Sequence, residues 1–445
     1  METLHVTNFC GLADAKLELR PINLFIGPQA TGKSVVAKLV YFFREVISTL
    51  PSFAEAQTEW KTVRQQLGQR IVSYFGGSEL GEGSFEVKYS VADVWLRVSR
   101  KGEAAKGTVE FQSDRKFASL YEELLKAVPT TQAGAEGVEV AIPKGSAREL
   151  RERLVKIITD EIGEHACFQQ LFIPAARASL ALLPTQLLSQ IAAGRETVDV
   201  WMPKFAELVG NTRNTLKRLG FYGENENQVR RTVAQKKSNA YRERIGAILR
   251  ADVEYDGTEE RLKLADGRVI SLLRASSGQQ ESLPLLLLMC RFSMLGHVDG
   301  RSVFIEEPEA HLWPGAQRQI VHLLVEMFLL RKREMQLLLT THSPYVFSVF
   351  NNLLEAGRAY AALDKQLESA ENGLKRKLEE RRKKLEEVVP FERALPAGSI
   401  AAWQFDSGGV KPLMNEEHGV IGADLLDKVS EDIDVEWRSL QDFVE

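Results

Sequence analysis

The sequence predicts an α/β fold: a mainly parallel sheet, flanked by an antiparallel β-subdomain and an inserted helical arm. Three observations predict it. Short apolar runs that read as buried strands alternate with helical stripes at both ends of the chain, as in a sheet wrapped by helices. Between Ser84 and Gln112 the hydrophobic period switches to two. From Ser179 to about Leu249 it switches to long helical stretches of alternating charge.

Each element follows from a local pattern. Leu4–Val6, Ala15–Leu19 and Ile22–Ile26 read as strands; Gly27 opens a loop, and Ser34–Glu45 carries an apolar helical stripe. Phe85, Val87 and Tyr89, then Val94, Leu96 and Val98, then Val109 and Phe111 alternate as a meander with a turn at Lys101–Gly107. Residues 116–165 are mostly helical, broken by a polar, Gly-rich stretch at Pro129–Gly145. Leu171–Ile173 is a short strand ended by Pro174. Val253–Tyr255 and Arg261–Leu273 form a hairpin around Asp256-Gly257 and Asp266-Gly267. A helix from Gln280, a strand at Ser302–Ile305, a helix at Ala316–Lys332 and a strand at Gln336–Thr340 follow, then a helix after Pro344. Leu367–Val389 reads as a charged helix, Ile400–Phe405 as a strand, and the chain ends in an acidic helix. The expected divisions are 1–115, a lobe with the Gly-containing loop and meander; 116–250, the helical insertion; 251–360, a second lobe; and 361–445, a charged helix and small tail.

Composition excludes several classes. The 445 residues carry 57 Lys and Arg against 61 Asp and Glu, and 57 − 61 gives a net charge of −4. That is no nucleic-acid coat protein; a DNA contact would need a local basic patch. Cys10, Cys167 and Cys290 are too far apart in sequence for a zinc knuckle or disulfide framework, so a reducing, cytoplasmic setting is expected. The N-terminus lacks a signal-peptide pattern. The richest apolar runs, Leu283–Met289 and Ile320–Leu330, fall short of the roughly 20 residues that span a bilayer, so no membrane role is expected.

Four motifs carry chemistry. Gly27-Pro28-Gln29-Ala30-Thr31-Gly32-Lys33-Ser34 is a full G-x-x-x-x-G-K-[ST] loop between an apolar strand and a helix. Its glycines let backbone N–H groups face a phosphate, Lys33 reaches the β- and γ-phosphates of ATP, and the Ser34 hydroxyl suits Mg²⁺. Val303–Ile305 leads into Glu306-Glu307-Pro308-Glu309. Two carboxylates ending a buried strand are costly unless they face a cation or a reacting centre. Glu306 is expected to orient Mg²⁺, and Glu307 to act as general base toward the attacking water. Leu337–Thr341 delivers His342 to a strand's C-terminal edge, where it can reach the γ-phosphate. Ser276-Ser277-Gly278-Gln279 precedes a helix, whose N-terminus attracts anions.

The order phosphate loop, Ser-Gly-Gln, Glu-Glu and Thr-His resembles the ABC-type ATPase head: Walker A, signature, Walker B with catalytic Glu, and switch His. EEPEAHLWP followed by TTHSP resembles the RecF/SMC-like branch, and within it the ATPase module of OLD-family and related bacterial anti-phage defence proteins. NFCGLADAKLELRPINLFIGPQATGKS, SSGQQESLPLLLLM and LFIPAARAS fit the same branch over Met1–Asn352, the insertions unmatched. The resemblance implies an ATPase that binds ATP and Mg²⁺ between two copies, with Ser276, Ser277, Gly278 and Gln279 serving the partner's nucleotide. It places Arg177 where transporters have a lid glutamine, as a nucleotide-sensing residue, and His311 in a dimer-facing loop. The signature reads Ala-Ser-Ser-Gly-Gln rather than Leu-Ser-Gly-Gly-Gln, and the Walker B acid is Glu306 rather than Asp. Asp432-Ile433-Asp434 lacks the partner strand of a TOPRIM nuclease, so an effector, nucleases included, is expected on a separate chain. The leading expectation is thus a sensor and scaffold that controls that effector in anti-phage defence. The alternative is a RecF-like DNA-maintenance ATPase, with the basic stretch Arg230–Arg244 facing DNA or a partner's acidic surface. Lys375–Lys384, balanced by glutamates, reads as a solvated helix.

Overall fold

In a computed structural model of the chain, the described residues are 1–76, 83–101, 109–129, 144–181, 200–222, 233–257, 259–294, 300–331, 334–407, 409–415 and 419–422, with positions 80 and 435. The first strands are β1 (Glu2–Phe9), β2 (Leu12–Leu19) and β3 (Ile22–Ile26), followed by helices α1 (Lys33–Glu55) and α2 (Trp60–Phe75). The meander is β4 (Phe85–Val91), β5 (Val94–Arg100) and β6 (Glu110–Ser113). It joins the first two strands in one antiparallel sheet of order β2-β1-β4-β5-β6. The Lys101–Gly107 turn lies almost wholly outside the described residues, as do most of Pro129–Gly145, the acidic C-terminal helix and Asp432–Asp434.

Helices α3 (Arg115–Ala127) and α4 (Lys144–Ile162) lead to β7 (Gln169–Ile173), the short α5 (Ala178–Ala181), α6 (Trp201–Arg218) and α7 (Val233–Leu249). Strands β8 (Ala251–Tyr255), β9 (Glu260–Leu264) and β10 (Val269–Ser271) make a three-stranded antiparallel sheet, one strand more than the expected hairpin. Then come α8 (Ser277–Met294), β11 (Arg301–Glu306), α9 (Pro314–Leu330), β12 (Met335–Thr341), α10 (Pro344–Ser369), α11 (Asn372–Val388), β13 (Ile400–Asp406) and β14 (Gly409–Pro412).

The central sheet has the order β14-β13-β3-β12-β11-β7. Five strands are parallel, and β14 is antiparallel at one edge. Parallel strands covered on both faces read as continuous apolar runs, and β3 and β12 are buried at every residue. Successive side chains point to opposite faces, and the core divides accordingly. Ile22, Leu24, Ile26, Leu171, Ile173, Val303, Ile305, Leu337 and Leu339 pack beneath α6 to α10. Phe25, Phe172, Phe304 and Leu338 point the other way, toward α1 and the antiparallel sheet. Each such side chain contributes about 1.5–3 kcal/mol by leaving water. The antiparallel sheet is also tied to α1 by ion pairing: Arg44 donates to both Glu2 carboxylate oxygens at 2.8 and 2.9 Å, and Tyr89 donates to Oε1 at 2.7 Å. Burial pushes the Glu2 pKa up, but Arg44 outweighs it and holds the carboxyl below its usual range.

One expectation about organisation is corrected. The described helices of 116–250 are not a projecting arm: Phe205, Val209, Leu216, Ile245, Ile248 and Leu249 lie in the main core, and β7 is a strand of the central sheet. The expected small tail of 361–445 supplies a strand to the central sheet, where β13 pairs in parallel with β3, Ile400 opposite Ile22. In both cases the charged outer face dominates the sequence pattern, while a few apolar positions decide the packing. Part of the basic stretch Arg230–Arg244 lies outside the described residues; at its end, Arg244 is engaged with Glu326, donating to Oε1 at 3.0 Å.

Candidate active site

Register brings three of the four motifs to one edge. Ile26 pairs with Thr341, Thr340 with Glu306, and Ile305 with Ile173. The loops leaving β3, β12, β11 and β7 therefore start side by side at the carboxyl ends of the sheet, where open α/β folds bind ligands.

The phosphate loop is shaped by backbone conformations that side chains resist. Gly27 (φ 153°), Ala30 (φ 59°) and Gly32 (φ 94°) take positive φ. At Gly27 a Cβ would stand 1.9 Å from the Phe405 carbonyl oxygen, so β13 and the loop can approach only with glycine there. Thr31 Oγ1 donates to the Pro28 carbonyl at 2.8 Å and closes the turn. Helix α1 starts at Lys33 on the cap residue Gly32, with no side chain hydrogen-bonded across its first turn. Its first N–H groups thus face outward as anion donors. Pro28, Gln29, Ala30 and Ser34 are exposed, whereas Lys33 is buried.

Lys33 connects the loop to the other motifs. Its ammonium donates to the carbonyls of Gly27 (2.7 Å) and Pro28 (2.5 Å) and lies 3.4 Å from His342 Nδ1. His342 Nε2 lies 2.9 Å from Glu307 Oε1. An ammonium has only donors, so this network assigns Nδ1 as acceptor and Nε2–H as donor to the carboxylate. Burial lowers the Lys33 pKa, against the pull of Glu307 and Glu309. Glu307 itself sits at φ 45°, in the left-handed region. Such a conformation costs a non-glycine residue about 1–3 kcal/mol and persists only where its surroundings enforce it. One of them is the bond from the Glu307 N–H to the Thr340 carbonyl, 2.9 Å.

Glu306 is buried. Its Oε2 accepts from the Ala175 N–H at 3.3 Å, while Oε1, also buried, has no hydrogen-bond partner among the described residues. An orphaned carboxylate oxygen of this kind fits a hard cation such as Mg²⁺, and the exposed Ser34 hydroxyl is a second oxygen of suitable chemistry. Glu309, the third acid counted from Glu306, has no role that the sequence motifs assign. Glu309 Oε1 accepts from Thr341 Oγ1 (2.5 Å) and the His342 N–H (3.0 Å), fixing the peptide that carries the imidazole. Its Oε2 is the second buried, unpartnered carboxylate oxygen here. The third acid of Glu-Glu-Pro-Glu was the available signal.

Arg177 requires a correction. It was expected to sense nucleotide, but its side chain is fully buried. Nη1 donates to the Glu306 carbonyl (2.7 Å), Nη2 to the Glu307 carbonyl (2.9 Å) and Nε to the Glu281 carbonyl (2.9 Å). Its donors go to the main chain because the β7 loop passes beneath the acidic pair.

The Ser276–Gln279 segment opens α8. Ser276 Oγ and the Gln279 side chain bond each other's backbone N–H, at 3.4 and 3.1 Å, which is a capping box for α8. A Cβ on Gly278 would stand 2.6 Å from the His311 carbonyl oxygen, so the segment packs against the loop after β11. Ser276, Gly278, Gln279, His311, Trp313 and Gln319 line a cavity of about 490 Å³ that no phosphate-loop residue lines. Trp313 is 77% exposed at its rim.

Fold and site together define a phosphate-loop ATPase. Residues 165–347 match the family described as AAA ATPase domain; the phosphate loop precedes that span. No curated protein matches the chain. Among solved structures, the chain is similar to an SMC head bound to the C-winged helix domain of ScpA (12% identity, 78% of this chain and 90% of that one, TM-score 0.40). A second is an SMC head with an extended coiled coil bound to the C-terminal domain of ScpA derived from Pyrococcus furiosus (11%, 97% and 100%, TM-score 0.39). A third is the recombination mediator RecF with ATPrS (11%, 92% and 97%, TM-score 0.33). No described helix is long and apolar enough to cross a membrane.

Proposed function

We propose that two copies of this chain hold ATP between them, each phosphate loop facing the other copy's Ser276–Gln279 segment, and hydrolyse it. The observation that carries this reading is the contact chain from Lys33 through His342 to Glu307, at the edge where β3, β11 and β12 end. Backbone N–H groups of the Gly27–Ser34 loop wrap the β-phosphate, and Lys33 exchanges its carbonyl partners for β- and γ-phosphate oxygens. Ser34 and Glu306 would hold Mg²⁺, which would supply positive charge against the phosphates. Glu307 takes a proton from the attacking water as its oxygen bonds the γ-phosphorus and ADP leaves; His342 holds the carboxylate and faces the γ-phosphate. The segment Ser276, Ser277, Gly278 and Gln279 supplies a helix N-terminus from the second copy, and two-fold symmetry makes two such sites.

The wider role we infer is a sensor and scaffold, gated by ATP, that controls a separate effector protein in bacterial anti-phage defence. The EEPEAHLWP and TTHSP resemblance to OLD-family modules supports it. Isolation of the chain with ATP and the Glu307→Gln substitution tests both levels. An ATP-dependent dimer carrying a defined effector is expected. A wild-type chain that stays monomeric while hydrolysing ATP would overturn the shared site. Salt-sensitive, ATP-dependent duplex binding without a protein partner would replace the effector reading with DNA maintenance.

A further inference from the structure

We propose that Arg177 is a positioning residue that transmits the state of the Ser276–Gln279 segment to the Glu307 carboxylate. The inference rests on the shared-site reading above and assigns the route by which a second copy would switch on hydrolysis. Glu281 lies one turn into α8, two residues past the end of the segment. Arg177 holds it from both sides: its own N–H donates to Glu281 Oε2 at 2.9 Å, and its Nε donates to the Glu281 carbonyl at 2.9 Å. The same guanidinium holds the carbonyls of Glu306 and Glu307, and reaches that of Pro174 at 3.3 Å. One planar fork therefore spans the first turn of the signature helix and both residues of the acidic pair.

Two arguments separate this from ordinary packing. A buried guanidinium is expensive: full burial pushes its pKa down, and the Glu281 carboxylate, 3.7 Å from Nε, restores part of that loss. An apolar side chain would fill the space at lower cost but could not point donors in three directions. The second argument is the Glu307 backbone. Its left-handed φ of 45° is enforced at its N–H by Thr340 and at its carbonyl by Arg177. A phosphate seated on the α8 N-terminus shifts that turn; Glu281 moves with it, and Arg177 passes the shift to the peptide that aims the Glu307 carboxylate. Displacement of a catalytic group by about 1 Å changes rate on the order of 10²-fold, so a small shift is enough.

The test compares Arg177→Lys and Glu281→Gln with the wild type in three measurements. These are affinity for a fluorescent ATP analogue, ATP-driven dimerisation by light scattering, and turnover per folded chain across protein concentration. Both variants are expected to bind nucleotide within about threefold of wild type and to dimerise, while saturated turnover falls about 30-fold or more and no longer rises with concentration. A residue that only supports folding would lower the melting temperature and leave turnover per folded chain unchanged, which overturns the proposal. So does a loss of nucleotide affinity that parallels the loss of turnover, since Arg177 would then touch nucleotide. If Arg177→Lys does not fold, Glu281→Gln decides alone, because it keeps the carbonyl that accepts from Nε. A wild-type chain without turnover overturns the shared-site reading itself, whereas normal coupling in both variants overturns only the role of Arg177.

Discussion

The N-termini of α1 and α8 are both ready-made anion sites, yet they are built in opposite ways. Helix α1 begins on Gly32 with no side-chain cap, behind a loop bent by three positive-φ residues, and carries a lysine at its first position. Helix α8 closes itself with Ser276 and Gln279, has no basic residue in its first turn, and is wedged by Gly278 against His311. The first end leaves its N–H donors to a ligand and adds a charge. The second spends donors on its own side chains and offers a weaker, neutral surface. On the shared-site proposal, the difference teaches why one chain would need another: α1 would bind nucleotide strongly from one side, and α8 would suit a lighter contact made after the nucleotide is in place.

The largest effects should separate binding from chemistry on the α1 side. Glu307→Gln keeps the side chain's shape but removes the base, so turnover should fall about 10²–10⁴-fold while ATP still binds. Lys33→Ala removes the ammonium assigned to the β,γ-phosphates and should weaken ATP binding about 100-fold or more, read by titration calorimetry. Because burial lowers the Lys33 pKa, wild-type affinity should fall as alkaline pH deprotonates it, starting below the ordinary lysine range. Equal loss of binding in both variants would erase the distinction between cradle and base.

The two helix ends can then be tested against each other in one tube. Lys33→Ala spoils the cradle and Ser276→Arg spoils the contact, so each variant alone should be inactive. Mixed, they leave one intact site per heterodimer, and turnover should return to about a quarter of wild type if chains pair at random and one site fires alone. Two inactive variants that stay inactive when mixed, beside a wild type whose turnover is indifferent to dilution, would place both helix ends on one chain's nucleotide.

Next in size is the backbone of the cradle. Gly27→Ala drives a methyl to 1.9 Å from the Phe405 carbonyl, a contact with rigid backbone that must move. A stability loss of about 3 kcal/mol or more is expected, seen as a lower denaturant midpoint with unchanged slope. A cost below about 1 kcal/mol would mean the loop is not braced by β13.

What the sequence made legible follows the same contrast. The cradle was readable because a strand, a glycine-bearing loop and a helix are consecutive in the chain, and period and motif agree. The strands ending in Glu306 and Thr341 were readable for the same reason. What escaped was anything decided by distant packing. Ile400–Phe405 was recognised as a strand, but nothing local says that it lies beside Ile22–Ile26 and forces glycine at position 27. Arg177 was assigned by motif position, whereas its burial depends on Glu281 and the Glu306–Glu307 peptides, more than a hundred residues away. Glu309 was in view, yet its part in fixing His342 appears only when β12 lies beside β11.

The smallest effect belongs to the α8 cap, and it tests whether the segment is a contact or merely a closure. Ser276→Ala removes the hydroxyl that accepts from the Gln279 N–H, leaving the glutamine's bond to the Leu249 carbonyl at 2.8 Å in place. Loss of such a cap costs about 0.5–2 kcal/mol, so the melting temperature should drop by a few degrees at most. If closure were the segment's whole task, nothing else would change. As a contact across the dimer it should do more. At dilute protein, turnover should fall several-fold, and raising the concentration should recover most of it, while ATP affinity of the isolated chain stays fixed. Turnover that tracks only the lost stability, at every concentration, would make α8's N-terminus a self-contained cap and remove its claim on the second nucleotide.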